Sequence, residues 1–205
     1  MKLMKTKDNS YTFFNEKYQE AYHSLTGALE EAQKKYIEPL EVKDGYIILD
    51  ICFGLGYNTF VALENTKNIK VIALEIDEEI LRDLQNIEIN RKYEIIKKLA
   101  REKKYKDKDY DLTLIMGPAQ ETIKKVKEKV DCVFLDPFSP KKTPELWTRE
   151  FFNGIFKIMK PGAKLATYSC ARVVRDNLKA EGFTITDGPK VGRRGPSTIA
   201  EKPSL

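Results

Sequence analysis

The sequence predicts a doubly wound α/β fold, in which helices cover both faces of a mainly parallel sheet. Short apolar runs alternate along the chain with helix-like stretches, and no internal repeat, low-complexity tract or linker interrupts them. The chain has 205 residues, of which 41% are hydrophobic, enough for one sizeable core. We therefore expect a single domain over residues 1–205, with an N-terminal extension at 1–44 and the α/β core at 45–205.

The apolar, β-branched runs give the predicted strands, seven in all. They are Tyr46–Cys52, Lys70–Ile76, Leu112–Met116, Asp131–Leu135, Lys164–Tyr168, Phe183–Thr186 and Ser197–Ala200. The helices predicted between them are Asn58–Asn65, Asp77–Asn86, Gln120–Lys129, Pro144–Met159 and Ala171–Ala180. An additional helix is predicted ahead of the first strand, over Ser24–Leu40, beginning at a Ser or Thr cap and ending near Pro39. Strict strand–helix alternation implies right-handed crossovers and parallel strands.

The last two predicted strands are separated only by the turn-rich stretch GPKVGRRG, so we expect them to pair as an antiparallel hairpin. Such a hairpin on an otherwise parallel sheet resembles the Rossmann-like class I methyltransferase fold, whose final strand runs against the others. The resemblance implies a seven-stranded sheet with an N-terminal helical extension.

Composition excludes several classes of protein. No stretch approaches the roughly 18 apolar residues of a membrane span, and the N-terminus has no signal-like apolar region, so we expect a cytoplasmic protein. The three cysteines, Cys52, Cys132 and Cys170, lack the spacing of a metal site, and we expect no metal.

The net charge of +5 is concentrated in two places. Residues 91–108 hold nine Lys or Arg against three acids, and a second group follows near the C-terminus: Arg172, Arg175, Lys190, Arg193 and Arg194. Such clusters suit a polyanionic partner such as RNA, although a solvated helix face is the commoner explanation for a run like the first.

The first motif follows the first predicted strand. An apolar run leads through Asp50 to Gly54, Leu55 and Gly56, and a helix opens at about Asn58. Glycines at such a turn allow a ligand to approach, while the amides at the helix start supply hydrogen bonds. A tight turn without a ligand is the alternative.

The second predicted strand ends at Glu75, which lies 21 positions after Gly54, where nucleotide-binding α/β folds place the acid that binds ribose hydroxyls. We expect water at the strand end to keep this carboxylate ionised, and Asp77 to cap the next helix. No phosphate-binding lysine follows the glycine loop, which favours an adenosine without phosphates over NAD.

The third motif begins where a buried strand ends at Asp136, followed by Pro137 and Phe138. The order resembles the Asp-Pro-Pro-Tyr type of loop found in amino-group methyltransferases. A carboxylate there can orient an amine, accept its proton and stabilise the developing positive charge. Phe138 offers a face on which an extruded base can stack. The alternative is that Asp136 only caps the turn.

A longer pattern extends from this loop toward the C-terminus, and matching residues lie upstream. The residues that carry it are Tyr22, His23, Ser24, Gly27, Ala28, Glu31, Gly54, Gly56, Asn58, Phe60, Leu135, Asp136, Phe138, Pro140, Lys141 or Lys142, Pro144, Glu145, Trp147, Pro161, Gly162, Leu165, Ala166, Thr167, Ser169, Val174, Arg175, Gly182 and Phe183. Together they resemble the methyltransferase part of the MnmC family, which completes 5-methylaminomethyl-2-thiouridine at the tRNA wobble position.

The resemblance implies an S-adenosylmethionine-dependent N-methyltransferase that converts 5-aminomethyl(-2-thio)uridine to 5-methylaminomethyl(-2-thio)uridine in tRNA. It implies catalytic roles for Asp136 and Phe138. The implied donor-binding residues are Tyr22, His23, Ser24, Glu31, Gly54, Leu55, Gly56, Asn58, Glu75, Ile76, Gly117, Gln120 and Asp136. The implied tRNA-binding residues are Lys141, Lys142, Arg172, Arg175, Arg193 and Arg194.

The sequence departs from the family pattern in three ways. There is no room for the FAD-dependent oxidase domain of the bifunctional members, so we expect a separate enzyme to supply the aminomethyl substrate. Pro118 follows Gly117 where the family has an acid that contacts adenine, so that contact falls to Gln120 or to backbone. In the C-terminal basic motif, Arg193 and Arg194 are followed by Gly195 and Pro196 instead of a further charge.

Two other functions remain open. One is a small-molecule amine methyltransferase or a polyamine aminopropyltransferase, against which basic residues near the cleft argue. The other is a non-catalytic RNA- or adenosine-binding module. The single histidine, His23, is either structural or part of the donor site, and Trp147 is expected to be a core anchor.

Overall fold

A computed structural model describes residues 1–192 and 195–204. Its strands are β1 (Lys2–Lys5), β2 (Tyr11–Asn15), β3 (Glu20–Ala21), β4 (Ile47–Ile51), β5 (Ile69–Glu75), β6 (Lys104–Lys106), β7 (Tyr110–Met116), β8 (Val130–Leu135), β9 (Met159–Thr167), β10 (Thr184–Asp187) and β11 (Thr198–Glu201). Its α-helices are α1 (Ala28–Ala32), α2 (Tyr57–Asn65), α3 (Glu78–Asp83), α4 (Tyr93–Glu102), α5 (Ala119–Thr122), α6 (Arg149–Ile158) and α7 (Arg172–Ala180).

Within the described ranges, β4–β11 form one sheet with the strand order β10-β11-β9-β8-β4-β5-β7-β6. The five central strands from β9 to β7 are parallel, and β11 lies antiparallel between β9 and β10. The predicted fold class is therefore confirmed, including the antiparallel C-terminal hairpin. One edge strand, β6, was not predicted, because its three residues KYK lie within the basic run and have no apolar pattern.

Alternate residues of β4 explain why helices cover both faces of this sheet. Ile48 packs in a cluster with Tyr36, whereas its neighbour Leu49 packs in a second cluster with Phe152 on the other side. Because successive side chains of a strand point to opposite faces, the continuous apolar run of β4 needs a core on each face.

The basic run at residues 91–108 contains helix α4, which was not among the predicted helices. Tyr93, Ile96 and Leu99 are buried at helical spacing, and lysines occupy the outer face. Lys97, whose side chain is only 11% exposed, forms an ion pair with the exposed Glu94. Counting charges concealed this amphipathic pattern, and the alternative of a solvated helix face describes the run correctly.

The N-terminal extension contains a sheet that was not predicted, in which β2 pairs antiparallel with β1 and with β3. The predicted helix over Ser24–Leu40 is shorter and begins at α1, after Gly27. The predicted Ser or Thr cap is wrong: the Asp8 carboxylate accepts hydrogen bonds from the amides of Leu29 and Glu30, both at 3.1 Å. The helix continues beyond α1 as a π-helical stretch, Gln33–Ile37.

Two further helices differ in length from prediction. Helix α5 is a single turn that passes into a 3-10 turn at Ile123–Lys125, so it ends before Lys129. The predicted helix over Pro144–Met159 is split into a 3-10 turn, Pro144–Trp147, and α6, whose first turn is capped by Thr148. No helix in the described ranges is long and apolar enough to cross a membrane.

Candidate functional site

A cavity of about 1080 Å³ lies at the carboxyl ends of the parallel strands. Each of the five strands contributes a residue at or just after its end: Cys52 from β4, Glu75 from β5, Gly117 from β7, Asp136 from β8 and Tyr168 from β9. The strand order reverses direction between β4 and β8, and open α/β sheets bind ligands at such a switch point. The remaining wall comes from the N-terminal extension.

Glu75 is held by backbone amides on one side of this cavity. Its carboxylate accepts hydrogen bonds from the amides of Gly54 at 2.7 Å, Ile76 at 2.8 Å and Asp77 at 2.9 Å. The predicted exposure to water is wrong, because Glu75 is only 6% exposed, and burial raises its pKa despite the three hydrogen bonds. Asp77 caps α3 as predicted, accepting from the amides of Glu79 and Ile80.

The glycine loop lies behind the cavity wall. A Cβ at Gly56 would lie 2.5 Å from the ring of Phe53 and 2.6 Å from the side chain of Ile96, so packing against α4 excludes a side chain there. Leu55 has no exposed surface, and the Gly54 amide is bound to Glu75. The expected reason for the glycines, the approach of a ligand, therefore does not apply to Gly56. Neither Gly54, Leu55 nor Gly56 is among the described residues that line the cavity.

Asp136 is held by side chains. The Asn58 side-chain amide donates to its carboxylate at 3.0 Å, and His23 Nδ1 lies 4.0 Å away. The buried Tyr36 hydroxyl is close to the same carboxylate but outside hydrogen-bond geometry. Burial raises the pKa of Asp136, although the proximity of His23 acts in the opposite direction.

The alternative role of Asp136 as a turn cap has no support in the described chain, where no backbone amide donates to its carboxylate. The amide of Ser139, in the turn that follows, donates instead to Glu20 at 2.9 Å. The carboxylate is therefore available to a ligand without loss of a backbone hydrogen bond.

A third carboxyl group, Asp50, lies on β4 between these two. It is fully buried and accepts a hydrogen bond from the Thr59 hydroxyl at 2.6 Å, and its second oxygen has no partner among the described residues. Burial raises the pKa of Asp50 to about 8. The sequence marked Asp50 only as the acid before the glycine loop.

Phe138 is positioned by two aromatic contacts to its ring and by two hydrogen bonds to its backbone carbonyl. The ring stacks on Tyr18 with centroids 4.6 Å apart and lies 5.0 Å from the ring of Tyr22. The Trp147 indole donates to the Phe138 carbonyl at 3.0 Å, and the Thr143 hydroxyl donates to it at 2.9 Å. Trp147 is 3% exposed and anchors the loop, as predicted.

The segment from Asn15 to Tyr22, here called the N-terminal strap, joins the two walls of the cavity. Glu20 accepts hydrogen bonds from both the amide and the hydroxyl of Ser139, on the Asp136 side. The Tyr22 hydroxyl donates at 2.7 Å to Asp77, on the Glu75 side. Sequence reasoning missed Tyr18 and Glu20, because a contact across 119 positions has no periodic signal.

A cluster of polar side chains, most of them buried, extends from the end of the strap into α1. His23 is 9% exposed, and its Nε2 has no partner among the described residues. The Ser24 amide donates at 2.9 Å to Glu31, which also forms an ion pair with Lys35. Burial tends to raise the pKa of Glu31, but its neighbours Lys35 and His23 lower it on balance. All four residues line the cavity, and Lys35 was not predicted.

The wall near Glu75 supplies an apolar surface. Ile76 is 58% exposed, and Gly117 and Gln120 line the same cavity. Gln120 is in the first turn of α5, and this helix begins at Ala119, directly after Pro118. The structure thus brings together the predicted residues from the second and third strand ends, as the fold requires.

Comparison with known proteins identifies the family. Residues 82–203, more than half of the chain, match a family described as S-adenosyl-L-methionine-dependent methyltransferase. This chain belongs to that family. The predicted fold class and the methyl donor are thereby confirmed.

Relatives define the relationship more closely. An uncharacterized protein of Methanocaldococcus jannaschii is 38% identical over 98% of this chain and 59% of its own length. The bifunctional tRNA 5-methylaminomethyl-2-thiouridine biosynthesis protein MnmC of Leptospira interrogans is 26% identical over 93% of this chain and 34% of its own. The crystal structure of MnmC2 from Aquifex aeolicus is 31% identical with a TM-score of 0.85, covering 100% of this chain and 71% of that one. The predicted resemblance to the methyltransferase part of MnmC is confirmed, and this chain spans only about a third of the bifunctional relative.

Four of the predicted tRNA-binding residues lie outside the cavity lining that the structure describes: Lys141, Lys142, Arg172 and Arg175. Lys141 and Lys142 are exposed, and Arg172 is exposed and paired with Asp176 at 3.5 Å. Arg193 and Arg194 lie outside the described residues.

Arg175 does not suit the predicted phosphate contact. Its guanidinium donates to the Thr198 hydroxyl at 2.9 Å and the Ser197 carbonyl at 3.0 Å, and it pairs with Asp187 at 2.7 Å. The side chain is 22% exposed. Three of its five N–H donors therefore join α7 to the C-terminal hairpin, which leaves fewer for a phosphate.

The lining of the methyltransferase cavity is acidic. Its described carboxylates are Glu16, Glu20, Glu31, Glu75, Asp77, Glu78, Glu79, Asp136 and Glu145, and its lysines are Lys17 and Lys35. S-adenosylmethionine carries a sulfonium and an ammonium cation with one carboxylate, so this lining and the partnerless His23 Nε2 fit the donor. No cluster of metal-ligating side chains is present in the part of the chain that the structure describes.

Proposed function

We propose that this methyltransferase transfers a methyl group to the primary amine of 5-aminomethyl(-2-thio)uridine at the wobble position of tRNA, giving 5-methylaminomethyl(-2-thio)uridine. The observation that carries the proposal is the Asp136 carboxylate, which faces the cavity and is held only by side chains at the end of a central strand. The likeness to MnmC over 93% of this chain supports the substrate.

Asp136 has a specific task in this reaction. An alkylammonium must lose a proton before its nitrogen lone pair can act as a nucleophile, and a carboxylate can orient the nitrogen and accept that proton. Asn58 holds one Asp136 oxygen at 3.0 Å, which fixes the direction of the carboxylate. When bound, S-adenosylmethionine supplies an activated methyl group on its sulfonium.

Phe138 and the exposed basic residues would hold the tRNA. The uracil ring stacks on Phe138, next to Asp136, in the place now taken by Tyr18. Lys141, Lys142 and Arg172 contact phosphates outside the cavity. A separate enzyme supplies the aminomethyl group, and we propose that the reaction takes place in the cytoplasm within one methyltransferase domain, residues 1–205.

The donor lies between the two strand ends. Glu75 binds the ribose hydroxyls, and Ile76, Gly117 and Gln120 surround the adenine. Tyr22, His23, Ser24 and Glu31 close the opposite side. Gly54, Leu55, Gly56 and Asn58 act indirectly, through their positions behind Glu75 and Asp136.

A second candidate is favoured by the charge of the cavity. Nine described carboxylates face two lysines in its lining, which suits a free cationic amine such as a polyamine. Basic residues near the cleft were expected to argue against this candidate, but Lys141, Lys142, Arg172 and Arg175 lie outside the described lining. The candidate is therefore a small-molecule amine methyltransferase or an aminopropyltransferase.

The test uses methyl-labelled S-adenosylmethionine with three substrates: tRNA containing 5-aminomethyluridine, the same tRNA without the aminomethyl group, and a mixture of polyamines. Digestion to nucleosides and mass spectrometry should show the gain of one methyl group on 5-aminomethyluridine only. Methyl label in the polyamines with none in tRNA would favour a small-molecule amine methyltransferase and contradict the proposal. An aminopropyltransferase transfers no methyl group, and would instead lengthen the polyamines when it is supplied with decarboxylated S-adenosylmethionine.

A further inference from the structure

Two Glu–Lys ion pairs lie side by side at the start of the α1 segment. Glu30 pairs with Lys34 and Glu31 pairs with Lys35, each with the same four-residue spacing. The side chains of the first pair are 40% and 50% exposed, whereas those of the second are 9% and 1% exposed. The same chemistry is therefore present once in solvent and once in the interior.

Stability does not explain the buried pair. Removing two charges from water costs more than their attraction returns in most proteins, and apolar residues of similar size often serve the fold as well. Lysine is among the residues least often fully buried. Since Glu31 and Lys35 both line the cavity, their position points to a ligand.

The pair has hydrogen-bonding capacity left over. An ammonium has three N–H donors, and Glu31 is the one acceptor for Lys35 in the described part of the chain. The Glu31 carboxylate accepts from Lys35 and from the Ser24 amide, while two oxygens offer about four acceptor sites. One donor group and one acceptor group thus remain side by side at the cavity wall.

We propose that the Glu31–Lys35 pair binds the α-amino-acid end of the methyl donor, with Lys35 on the carboxylate and Glu31 on the ammonium. The Glu31–Lys35 pair has no net charge, and neither has the zwitterionic amino-acid end of the donor. On binding, each charged group gains a second partner of opposite charge. The pair lies beside His23, which is 4.0 Å from Asp136, so this end of the donor is held next to the carboxylate that faces the amine. The inference rests on the donor and not on the tRNA substrate, so the two proposals can fail separately.

The experiment compares ligands that differ only at the amino-acid end. S-adenosylhomocysteine carries that end, and 5′-methylthioadenosine has the same nucleoside and thioether without it. Titration calorimetry on Lys35→Met should show S-adenosylhomocysteine binding roughly 10- to 100-fold more weakly, with 5′-methylthioadenosine unchanged. Lys34→Met, which removes the exposed lysine of the neighbouring pair, should leave both affinities unchanged.

A second variant separates a loss of ligand binding from a loss of folding. Lys35→Met leaves Glu31 buried without its cation, so Glu31→Gln/Lys35→Met removes both charges and should unfold at a temperature close to wild type. The double variant should also lose its preference for S-adenosylmethionine over the decarboxylated analogue, which lacks only the carboxylate. An equal preference in the double variant and the wild type would overturn the proposal, as would equal weakening of both ligands in Lys35→Met.

Discussion

Glu75 and Asp136 end the two strands that flank β4, and they are held in opposite ways. Three backbone amides donate to Glu75, whereas Asp136 is held by the side chain of Asn58, with His23 nearby. A carboxylate fixed by backbone cannot change partners without disturbing the fold. One held by side chains can accept a new donor. This difference supports the proposed roles, in which Glu75 binds the donor and Asp136 takes part in the chemistry.

A third carboxyl group, Asp50, lies between them on β4, the strand that pairs with both β5 and β8. It has one hydroxyl partner and no exposure, and its pKa is raised to about 8. Near neutral pH it therefore carries its proton, which limits the negative charge at the centre of the sheet edge.

The largest effect is expected for Asp136→Asn, in single-turnover assays with tRNA containing 5-aminomethyluridine. The amide keeps the shape but cannot accept the proton or offset the charge that forms on nitrogen, so the rate should fall about 100- to 10,000-fold. Donor affinity, measured by calorimetry, should change little. Asp44→Asn, at an exposed carboxylate outside the cavity lining, is the control and should keep the wild-type rate.

Glu75→Gln should have the next largest effect, on affinity. In the wild type both carboxylate oxygens of Glu75 accept hydrogen bonds from backbone N–H groups, and in the variant an NH2 group replaces one of these oxygens. The charge-assisted bond to the ribose is also lost, which should cost about 1.5–3 kcal/mol of donor binding. Calorimetry should show this loss with S-adenosylhomocysteine, and Glu88→Gln, an exposed acid outside the lining, should show none. Unchanged affinity in Glu75→Gln would exclude Glu75 from the donor site.

A smaller effect is expected at the basic residues outside the cavity. Replacing Lys141, Lys142 and Arg172 with Gln should flatten the dependence of tRNA affinity on salt, by about 0.7–0.9 in log–log slope for each phosphate that is no longer neutralised. Replacing Arg101, Lys104 and Lys108 together with Gln is the matched control, since it also removes three exposed positive charges, from the region of α4 and β6. A slope that changes equally in the control would indicate nonspecific attraction.

A separate effect, on stability and not on activity, is expected for Asp50→Asn. The folded protein keeps the Asp50 proton up to about pH 8, while the unfolded chain releases it near 3.8, so this group makes the wild type less stable as pH rises between these values. Asparagine does not titrate. The Tm of the variant minus that of the wild type should therefore increase from pH 5 to pH 8. The increase should be about 2–4 °C for each kcal/mol of unfolding free energy that the wild type loses. A constant difference would contradict a raised pKa at Asp50.

The contrast between Glu75 and Asp136 also shows what the sequence could predict. Both were found because parallel strands place their carboxyl ends at one edge, so two apolar runs ending in acids define a cleft. The hydrogen bonds that hold the two carboxylates were not predicted. The burial of Glu75 depends on amides of its own turn and of the Gly54 loop, which the spacing of residues does not reveal.

Other omissions have the same cause. Helix α4 has buried residues at helical spacing, but its lysines dominated the interpretation of that segment. Lys35 was overlooked because lysine is usually exposed, and its burial depends on packing of the N-terminal extension against the core. Arg175 was assigned to tRNA because a free arginine and one bound to a distant hairpin have the same sequence.

The most direct test of the account measures donor affinity and single-turnover rate at saturating donor on the same three proteins: wild type, Glu75→Gln and Asp136→Asn. The account predicts that Glu75→Gln loses affinity and keeps most of its rate, whereas Asp136→Asn loses rate and keeps its affinity. Methyl transfer by Asp136→Asn at the wild-type rate would contradict it, because no other carboxylate at this edge is held only by side chains and faces the cavity in the described chain.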